Sequence, residues 1–319
     1  MSTPRPFPIN AAMTAITVQF RNPDVSFIAD GLMPIVGVVN PRFKWTYFPP
    51  EQMFRVPNTL IGRKGIPEEV EFGGEERVDE VLDYALDNTI PITDITDAAA
   101  GRANNVSNVD PEALAVQSMT HIMQIDREQR VASMVQDPAN YLPGNQVALS
   151  GVGQFSDPGS DVIGVIQNAL DSSFTGRFNV MALNRRTLSA IQRHPQIVKA
   201  THGNSGDAGI AARQAIAELF EISEILVGES FVETSRKGQA SNIEPVWGNN
   251  IALIHRNTLA GPDSPFPAWG WTAQFGTRVA SSWEVRENGI SGARRMRVGW
   301  RVREVVSAPT AGYLIQNAI

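Results

Sequence analysis

The side chains that most often carry catalysis or bind metals are scarce in this chain. It has no cysteine, which excludes disulfide bonds, thiolate metal sites and a cysteine nucleophile. The histidines are His121, His194, His202 and His255, and none has a zinc-motif spacing such as HExxH. A Gly-x-Ser-x-Gly nucleophile motif is also missing from the sequence. We therefore expect no active site, no metal and no cofactor.

Two glycine-containing stretches have only a partial likeness to nucleotide-binding loops. Residues 203–209 (GNSGDAG) precede a predicted helix, as a phosphate-binding loop would. They lack the terminal Gly-Lys-Ser/Thr, and Asp207 would repel a phosphate. Residues 151–156 (GVGQFS) lie in a predicted turn. We interpret both stretches as ordinary loops.

Charge is distributed unevenly along the sequence. Residues 68–97 contain eleven acids and one base, Arg77, a pattern that by itself would indicate a solvated face. Residues 294–303 contain five arginines and no acid, and the arginines alternate with apolar residues as on a strand. Complementary charge in one chain indicates pairing within a subunit or between subunits. We predict pairing between adjacent subunits through Glu68, Glu69, Glu71, Glu75, Glu76, Asp79, Arg294, Arg297, Arg301 and Arg303.

A long helix is the element best placed to organise these segments. The sequence predicts it from Asp110 to about Gln136, with Asp110 as the N-cap and Pro111 at the first helical position. No glycine or proline interrupts it before Pro138. Such a helix is ~39 Å long and would span a domain. We call it the spine helix, and its predicted apolar stripe carries Leu114, Met119, Ile122, Met123, Ile125, Met134 and Val135. The opposite, polar face carries Gln117, Gln124, Arg127, Glu128 and Gln129.

Two segments before the spine helix are apolar but unable to form their own core. Residues 1–35 are interrupted by five prolines, which predicts an arm lying on another surface. Residues 40–97 predict a two-stranded excursion with a turn-rich tip at residues 57–67. Because an isolated hairpin is marginally stable in water, the excursion needs a surface to lie on. We expect both segments to rest on other copies of the chain.

The second half of the chain alternates between strands and helices. We predict a buried strand at 178–183, a helix at 185–194 capped by Asn184, a helix at 209–220 and a strand at 224–227. These belong to a compact unit over residues 172–280. Strands over 296–317 are expected to return to the spine helix.

Bulk composition excludes several classes of protein. The net charge of −6 argues against a general nucleic-acid binder, which is usually basic. No apolar run reaches the ~18 residues that would span a bilayer, and the N-terminus has no signal-peptide core. Arginine supplies 23 of the 27 basic residues, as expected either for interfaces or for a GC-rich genome.

The order of these parts carries a resemblance. An arm, an excursion with an acidic return, a spine helix, an αβ unit and returning strands together resemble a tailed-bacteriophage major capsid protein of the Hong Kong 97-type fold. Local stretches resemble phage and prophage head proteins over nearly the whole chain. They include Phe43-Lys44-Trp45, Gly62-Arg63-Lys64, residues 67–72 (PEEVEF), 83–87 (DYALD), 194–199 (HPQIVK), 226–229 (LVGE) and Val246-Trp247-Gly248.

The resemblance implies an α+β fold with named regions. These are an N-terminal arm at 1–39, an extended β-hairpin loop at 40–97, a peripheral domain at 98–171 containing spine helix 111–136, an axial αβ domain at 172–280, and return strands at 281–319. Some relatives cross-link a lysine of the extended loop to a neighbour's asparagine. Lys64 lies at the tip with no identifiable asparagine partner, so we regard Arg63 and Lys64 only as candidate loop-tip contacts.

The resemblance also implies a function. The chain would self-assemble as hexamers and pentamers into the icosahedral shell of a virion, enclosing double-stranded DNA. Expected partners are further copies of itself, a separate scaffolding protein, a portal, a decoration protein and the packaged DNA, without a membrane; assembly would occur in the bacterial cytoplasm. Two alternatives stay open: an encapsulin-like compartment that encloses an enzyme, and an enzyme with an unrecognised carboxylate site.

Overall fold

The computed structural model describes residues 8–20, 26–47, 56, 59–61, 63, 65–66, 75–106, 108–202, 209–262 and 267–319. The helices are α1 Ala11–Gln19, α2 Ala29–Leu32, α3 Ile92–Ala103, α4 Pro111–Gln136, α5 Val162–Asp171, α6 Arg185–Arg193, α7 Pro195–His202 and α8 Arg213–Leu219. The early strands are β1 Ile35–Val38, β2 Arg42–Tyr47, β3 Glu75–Glu80, β4 Leu82–Pro91, β5 Gln146–Ala148, β6 Val180–Asn184 and β7 Glu224–Gly228. The later strands are β8 Phe231–Glu233, β9 Ile243–Pro245, β10 Ile251–Ile254, β11 Gly270–Phe275, β12 Val279–Val285, β13 Ala293–Val306 and β14 Gly312–Gln316. Among the helices of these ranges, none is both long enough and apolar enough to cross a bilayer.

Helix α4 is the spine helix, and its predicted bounds are confirmed. The Asp110 carboxylate accepts hydrogen bonds from the backbone N–H groups of Glu112 (3.0 Å) and Ala113 (3.4 Å), as an N-cap should. The first half of its buried face packs on β13 and β4. The second half packs on α2 and on the sheet that contains β10 and β14. The helix therefore connects two hydrophobic cores.

Strand β13 is the centre of the first sheet. Its residues 293–302 pair with β4 on one edge, in antiparallel register from Ala293 opposite Pro91 to Val302 opposite Leu82. The other edge pairs with β12 and then with β11. Strand β1 completes the sheet as the parallel neighbour of β11. The excursion and the arm thus contribute strands to the same sheet.

The second sheet has the order β5-β14-β10-β6-β7 and supports the axial-type αβ unit. Strand β6 is buried throughout, and its last residue, Asn184, caps α6 by accepting a hydrogen bond from Thr187 N at 2.6 Å. The predicted helix at 209–220 is shorter, Arg213–Leu219. Residues 203–208 of the glycine-containing loop lie outside the described residues.

The two sheets do not follow the predicted division of the chain at residue 280. Strand β11, inside the predicted axial range 172–280, belongs to the first sheet because its antiparallel partner is β13. Strand β14, inside the predicted return range 281–319, belongs to the second sheet between β10 and β5. Strand β14 nevertheless packs with the spine helix as expected, because Leu314 shares a core with Val131 and Val135. The division of the chain into named domains stays a prediction.

The excursion departs from a simple hairpin at its return. Strands β2 and β3 form an antiparallel ribbon from Arg42 opposite Glu80 to Tyr47 opposite Glu75. The chain then leaves that ribbon at Val81 and continues as β4 in the first sheet. Residues 92–97, which we assigned to the hairpin, form the start of helix α3, and this assignment was wrong because the strand ends at Pro91. Part of the tip, including Gly62 and Lys64, lies outside the described residues.

The described part of the arm lies on its own chain. Helix α1 packs on the spine helix and β12, and Asn10 N donates to Ala280 O at 3.1 Å. Helix α2 packs on the spine helix, and β1 joins β11. Our expectation that the arm rests on another copy is therefore wrong for residues 8–20 and 26–38, because the chain supplies its own apolar surface and hydrogen-bond acceptors.

Candidate assembly surfaces

A ladder of ion pairs joins the acidic return of the excursion to β13. Arg297 Nε lies 2.6 Å from Asp87 Oδ1 and its second nitrogen lies 2.8 Å from Asp87 Oδ2, a bidentate pair. Arg301 Nε lies 2.8 Å from Asp83 Oδ1. In the register of β13 and β4, Arg297 lies directly opposite Asp87 and Arg301 lies directly opposite Asp83. Arg303 Nε extends the ladder to Asp79 Oδ1 of β3 at 3.1 Å.

The ladder perturbs the ionisation of its best-formed pair. The hydrogen bonds from Arg297 hold the pKa of the Asp87 carboxyl below its ordinary value, against the smaller opposing effect of burial. The same hydrogen bonds raise the pKa of Arg297. These side chains remain about one-third exposed, so solvent screens the attraction. The ladder fixes the register of β4 more than it adds stability.

The arginines that we nominated for contacts with a neighbour thus meet acids of their own chain. Arg294 likewise pairs with Glu112 of the spine helix, at 2.9 Å. Within the β2–β3 ribbon, Glu75 pairs with Arg77 at 3.0 Å and Glu76 with Lys44 at 2.6 Å. The complementarity within the chain is present, and a role for these residues between subunits stays a prediction. Glu68, Glu69, Glu71 and Lys64 lie outside the described residues, whereas Arg63 is exposed in a turn.

Two ladder residues, Asp83 and Asp87, were absent from our predicted site. They belong to the acidic stretch that we recognised, but the sequence alone does not show which acids oppose which arginines. The signal that could have found them is spacing: Asp83 and Asp87 are four apart, as are Arg297 and Arg301. Equal spacing on two antiparallel strands aligns both pairs in a single register.

A buried polar junction attaches the arm to the spine helix. Glu128 is fully buried, and its Oε1 accepts from Ile28 N at 2.9 Å and from Trp247 Nε1 at 2.7 Å. Its Oε2 accepts from Ala29 N at 2.9 Å. The two backbone donors are orphan N–H groups at the start of α2, which the carboxylate caps from another element. Burial raises the pKa of Glu128, and these three hydrogen bonds oppose the rise.

Arg127 forms the other half of the junction. It is 3% exposed and donates to the Asp30 carboxylate, to Met33 O at 3.3 Å and to Thr272 Oγ1 at 3.1 Å. Burial lowers the pKa of Arg127 to about 10, which leaves it charged at neutral pH. Arg127 and Glu128 were assigned to the polar face of the spine helix. That assignment was wrong for these two because α2 and Trp247 cover them.

Apolar side chains remain exposed at the excursion and on the segment after it. Near the tip, Val56, Leu60 and Ile66 are 84%, 86% and 92% exposed. Helix α3 buries none of its residues, and on the spine helix Leu114 and Ile122 are more than half exposed, although we had placed both in the apolar stripe. A twelve-residue helix is marginal in water without tertiary contacts. These surfaces are suited to contact another chain.

His194, His255 and the second glycine-containing stretch have structural roles in the fold. His194 is buried; its Nδ1 accepts from Gln196 N at 3.3 Å, so its Nε2 carries the proton, 3.1 Å from Asp157 O. His255 Nδ1 lies 2.9 Å from Arg177 O. Residues 151–153 of the second glycine stretch form a 3₁₀ turn. Across the described ranges, no group of three or more His, Cys, Asp or Glu side chains could hold a metal ion.

Comparison with solved structures identifies the architecture. A phage-related protein from Bordetella bronchiseptica RB50 has a TM-score of 0.76 at 24% identity, over 98% of this chain and 99% of that one. The capsid protein of Cyanophage P-SCSP1u has a TM-score of 0.58 at 10% identity, over 99% and 92% of the two chains. With its spine helix, excursion and two sheets, the chain has the Hong Kong 97-type fold of shell proteins.

Sequence comparison identifies the family. The major capsid protein of Pseudomonas phage JBD67 is 38% identical over 314 residues, which cover 98% of each chain. The major capsid protein of Burkholderia phage BcepMu is 26% identical over 319 residues, covering 97% of this chain and 96% of that one. No family model matches. The chain belongs to the phage major capsid proteins, and it is a structural shell protein rather than an enzyme.

Proposed function

We propose that this chain assembles as hexamers and pentamers into a closed icosahedral shell that encloses double-stranded DNA. The observation that carries the assembly is the exposure of Val56, Leu60 and Ile66 on an excursion whose base is firmly anchored. An exposed apolar patch marks an interaction site, and these side chains lie within eleven residues of one another. A neighbouring copy would bury these side chains.

Shell stability would come from repetition rather than from any one strong contact. Each copy offers the excursion, helix α3 and the exposed spine residues Leu114 and Ile122 as separate surfaces. When one contact forms, the others become intramolecular within the growing shell, which raises their effective concentration. Individually weak contacts are therefore sufficient.

The acidic residues outside the ladder are the first candidates for polar contacts between copies. Glu68, Glu69 and Glu71 belong to the excursion before β3, and Arg63 and Lys64 belong to its tip. The ladder arginines are only partly exposed and already paired, so a neighbour would have to compete with Asp79, Asp83 and Asp87 for them. Glu68, Glu69 and Glu71 would therefore meet other cations.

The proposed shell places the protein in the virion, after assembly in the bacterial cytoplasm. A separate scaffolding protein would guide assembly, a portal would occupy one vertex, a decoration protein could cover the outside, and DNA would fill the interior. Direct wrapping of DNA is disfavoured by the net charge of −6. Enclosure requires only that the shell close around the genome.

Electron microscopy of the purified chain tests assembly directly, with the chain produced both alone and together with the scaffolding protein of its own genome. We expect closed shells with hexamers and pentamers. Only discrete monomers in both preparations would contradict the proposal. Particles from cells that produce the phage should contain nuclease-protected double-stranded DNA within a shell of this chain. Shells that contain an enzyme instead of nucleic acid would indicate an encapsulin-like compartment.

A further inference from the structure

We propose that an arginine-rimmed cleft on helix α6 binds an acidic segment of a second copy of this chain, residues 67–72. The cleft has a volume of about 570 Å³ and lies between α6, the loop 155–158 and Ile319. The proposal rests on the proposed function in one respect, namely that copies of the chain assemble. It adds a named receptor site and a named ligand to that assembly.

The rim of the cleft carries an excess of positive charge. Arg185, Arg186 and Arg193 line it, and all three are exposed. Arg185 Nη1 lies 3.6 Å from Glu229 Oε1, and both side chains are exposed. Within the described ranges, Arg186 and Arg193 form no ion pair with a carboxylate, in contrast to the paired arginines of β13. The cleft therefore offers two guanidinium groups to an external anion.

The positions of Arg185 and Arg186 are unfavourable without such an anion. Arg185 and Arg186 are the first two residues of α6, where the helix dipole favours negative charge. Natural sequences are locally consistent except where function requires otherwise. Two cations at the positive end of a helix are such an exception, and an incoming carboxylate would compensate both the side chains and the dipole.

The floor of the cleft determines which anion fits best. Phe155, Pro158 and Pro195 provide an apolar lining below the arginine rim. The loop that carries Phe155 and Pro158 is fixed by buried His194, whose Nε2 lies 3.1 Å from Asp157 O. A nucleic-acid backbone would instead favour a broad basic stripe, which the distribution of charge in this chain does not provide. A peptide that has both carboxylates and apolar side chains can pair with the arginines of the rim and pack on the apolar floor.

The excursion contains a stretch with that combination at high density. Residues 67–72 read Pro-Glu-Glu-Val-Glu-Phe, three carboxylates interspersed with apolar side chains. They belong to the excursion, which departs at Tyr47 and returns at the paired Glu75. Residues 48–74 can therefore reach roughly 40 Å from the ribbon if fully extended. That reach is sufficient for contact with another copy.

Charge reversal with complementation tests the pairing. The cleft variant carries Arg186→Glu and Arg193→Glu, and the segment variant carries Glu68→Arg, Glu69→Arg and Glu71→Arg. A matched control, Arg236→Glu with Lys237→Glu, reverses two exposed cations on the β8–β9 loop. Circular dichroism verifies that each variant is folded, and sedimentation measures shell yield. We expect each test variant to lose about tenfold in yield, and the control to stay within about twofold of wild type.

Mixing the two test variants gives the decisive result. In the mixture, a wild-type segment meets a wild-type cleft on another copy, and a reversed segment meets a reversed cleft, so we expect recovery of at least about a third of the wild-type yield. Wild-type yield from the cleft variant alone would overturn the inference. So would recovery only when both reversals are in one chain, which indicates an internal contact, or no recovery in either arrangement.

One further outcome would point to a different ligand. If the cleft variant assembles normally but its particles lose packaged DNA, the cleft binds phosphate and the inference is wrong. Failure of the wild-type chain to form shells would instead overturn the proposed function. The two failures are therefore distinguishable in one set of sedimentation and nuclease-protection measurements.

Discussion

The arm and the excursion look alike in sequence, yet they differ in how the fold completes them. Both are apolar segments rich in turn residues and unable to form a core. The described arm is held by its own chain through Glu128, Arg127 and the first sheet. The described residues of the excursion pair with the chain at its base, and Leu60 and Ile66 at its tip are exposed. A sequence shows that a segment needs a partner, but not whether that partner is the same chain.

The largest expected effect comes from changing the tip. Leu60→Asp with Ile66→Asp should leave the unfolding free energy of the unassembled chain unchanged within about 0.5 kcal/mol, because both side chains are exposed. The yield of shells by sedimentation should fall by about tenfold or more, because the burial of two large apolar side chains is lost at every copy. Val152→Asp, at a position 79% exposed on another surface, is the control and should assemble normally. Normal assembly of the tip variant would remove the distinction between the two regions.

The arm junction should respond in the opposite way. Glu128→Ala leaves the N–H groups of Ile28, Ala29 and Trp247 without their acceptor. We expect a loss of about 3–5 kcal/mol, measured by urea unfolding of the unassembled chain. Glu221→Ala, which removes one exposed ion pair with Arg177, should cost less than about 1 kcal/mol. Equal, small losses in both variants would show that the arm is not held by its own chain.

The two carboxylates should show opposite pH dependence. Asp87 has a lowered pKa, so its contribution is present above its ordinary pKa of 3.8 and is lost as the pH falls through the lowered value. Glu128 has a raised pKa, so the stability of its neutral form is present below its ordinary pKa of 4.5 and declines as the pH rises through the raised value. Urea unfolding between pH 2.5 and 7 measures both.

Two variants separate these contributions. The difference between wild type and Asp87→Asn should shrink toward zero at the acidic end of the range. Wild type should lose stability relative to Glu128→Gln as the pH rises above 4.5, because glutamine stays neutral. Two flat differences across the whole range would contradict both assignments.

The smallest expected effect is that of the ladder. A double-mutant cycle of Arg297→Ala and Asp87→Ala should give a coupling of about 0.5–1 kcal/mol, because the pair is bidentate but partly exposed. The Arg177–Glu221 pair, more exposed on both sides, should give a smaller coupling and is the matched comparison. A coupling above about 2 kcal/mol for Arg297 and Asp87 would contradict the conclusion that the ladder fixes the register of β4 more than it adds stability.

The sequence predicted helix boundaries well because the residues that determine them lie within or next to the helix. The spine helix begins and ends as expected because Asp110, Pro111 and Pro138 are boundary signals within a few residues of the helix. Asn184 likewise caps α6. The charge asymmetry of residues 68–97 and 294–303 correctly indicated complementary strands, although the pairs found are within one chain.

Contacts between residues that are far apart in the sequence could not be predicted from the sequence alone. Glu128 looked solvent-exposed because its three donors lie 99 to 119 residues away. The buried position of Trp247 depends on Gly228, where a Cβ would collide with the indole ring. The sheet that β14 joins could not be predicted because nothing local distinguishes pairing with β10 from pairing with β13. Each error concerns which surface an apolar or charged segment meets.

Hydrogen exchange of the free and assembled chain tests the difference between arm and excursion most directly. The amides of Ile28 and Ala29, bonded to Glu128, should be protected to the same degree before and after assembly. The amides of residues 59–66 should gain protection only in the shell. Protection of the tip in the free chain, or gain of protection by Ile28 and Ala29 on assembly, would contradict the conclusion that the arm is completed internally and the excursion by a neighbour.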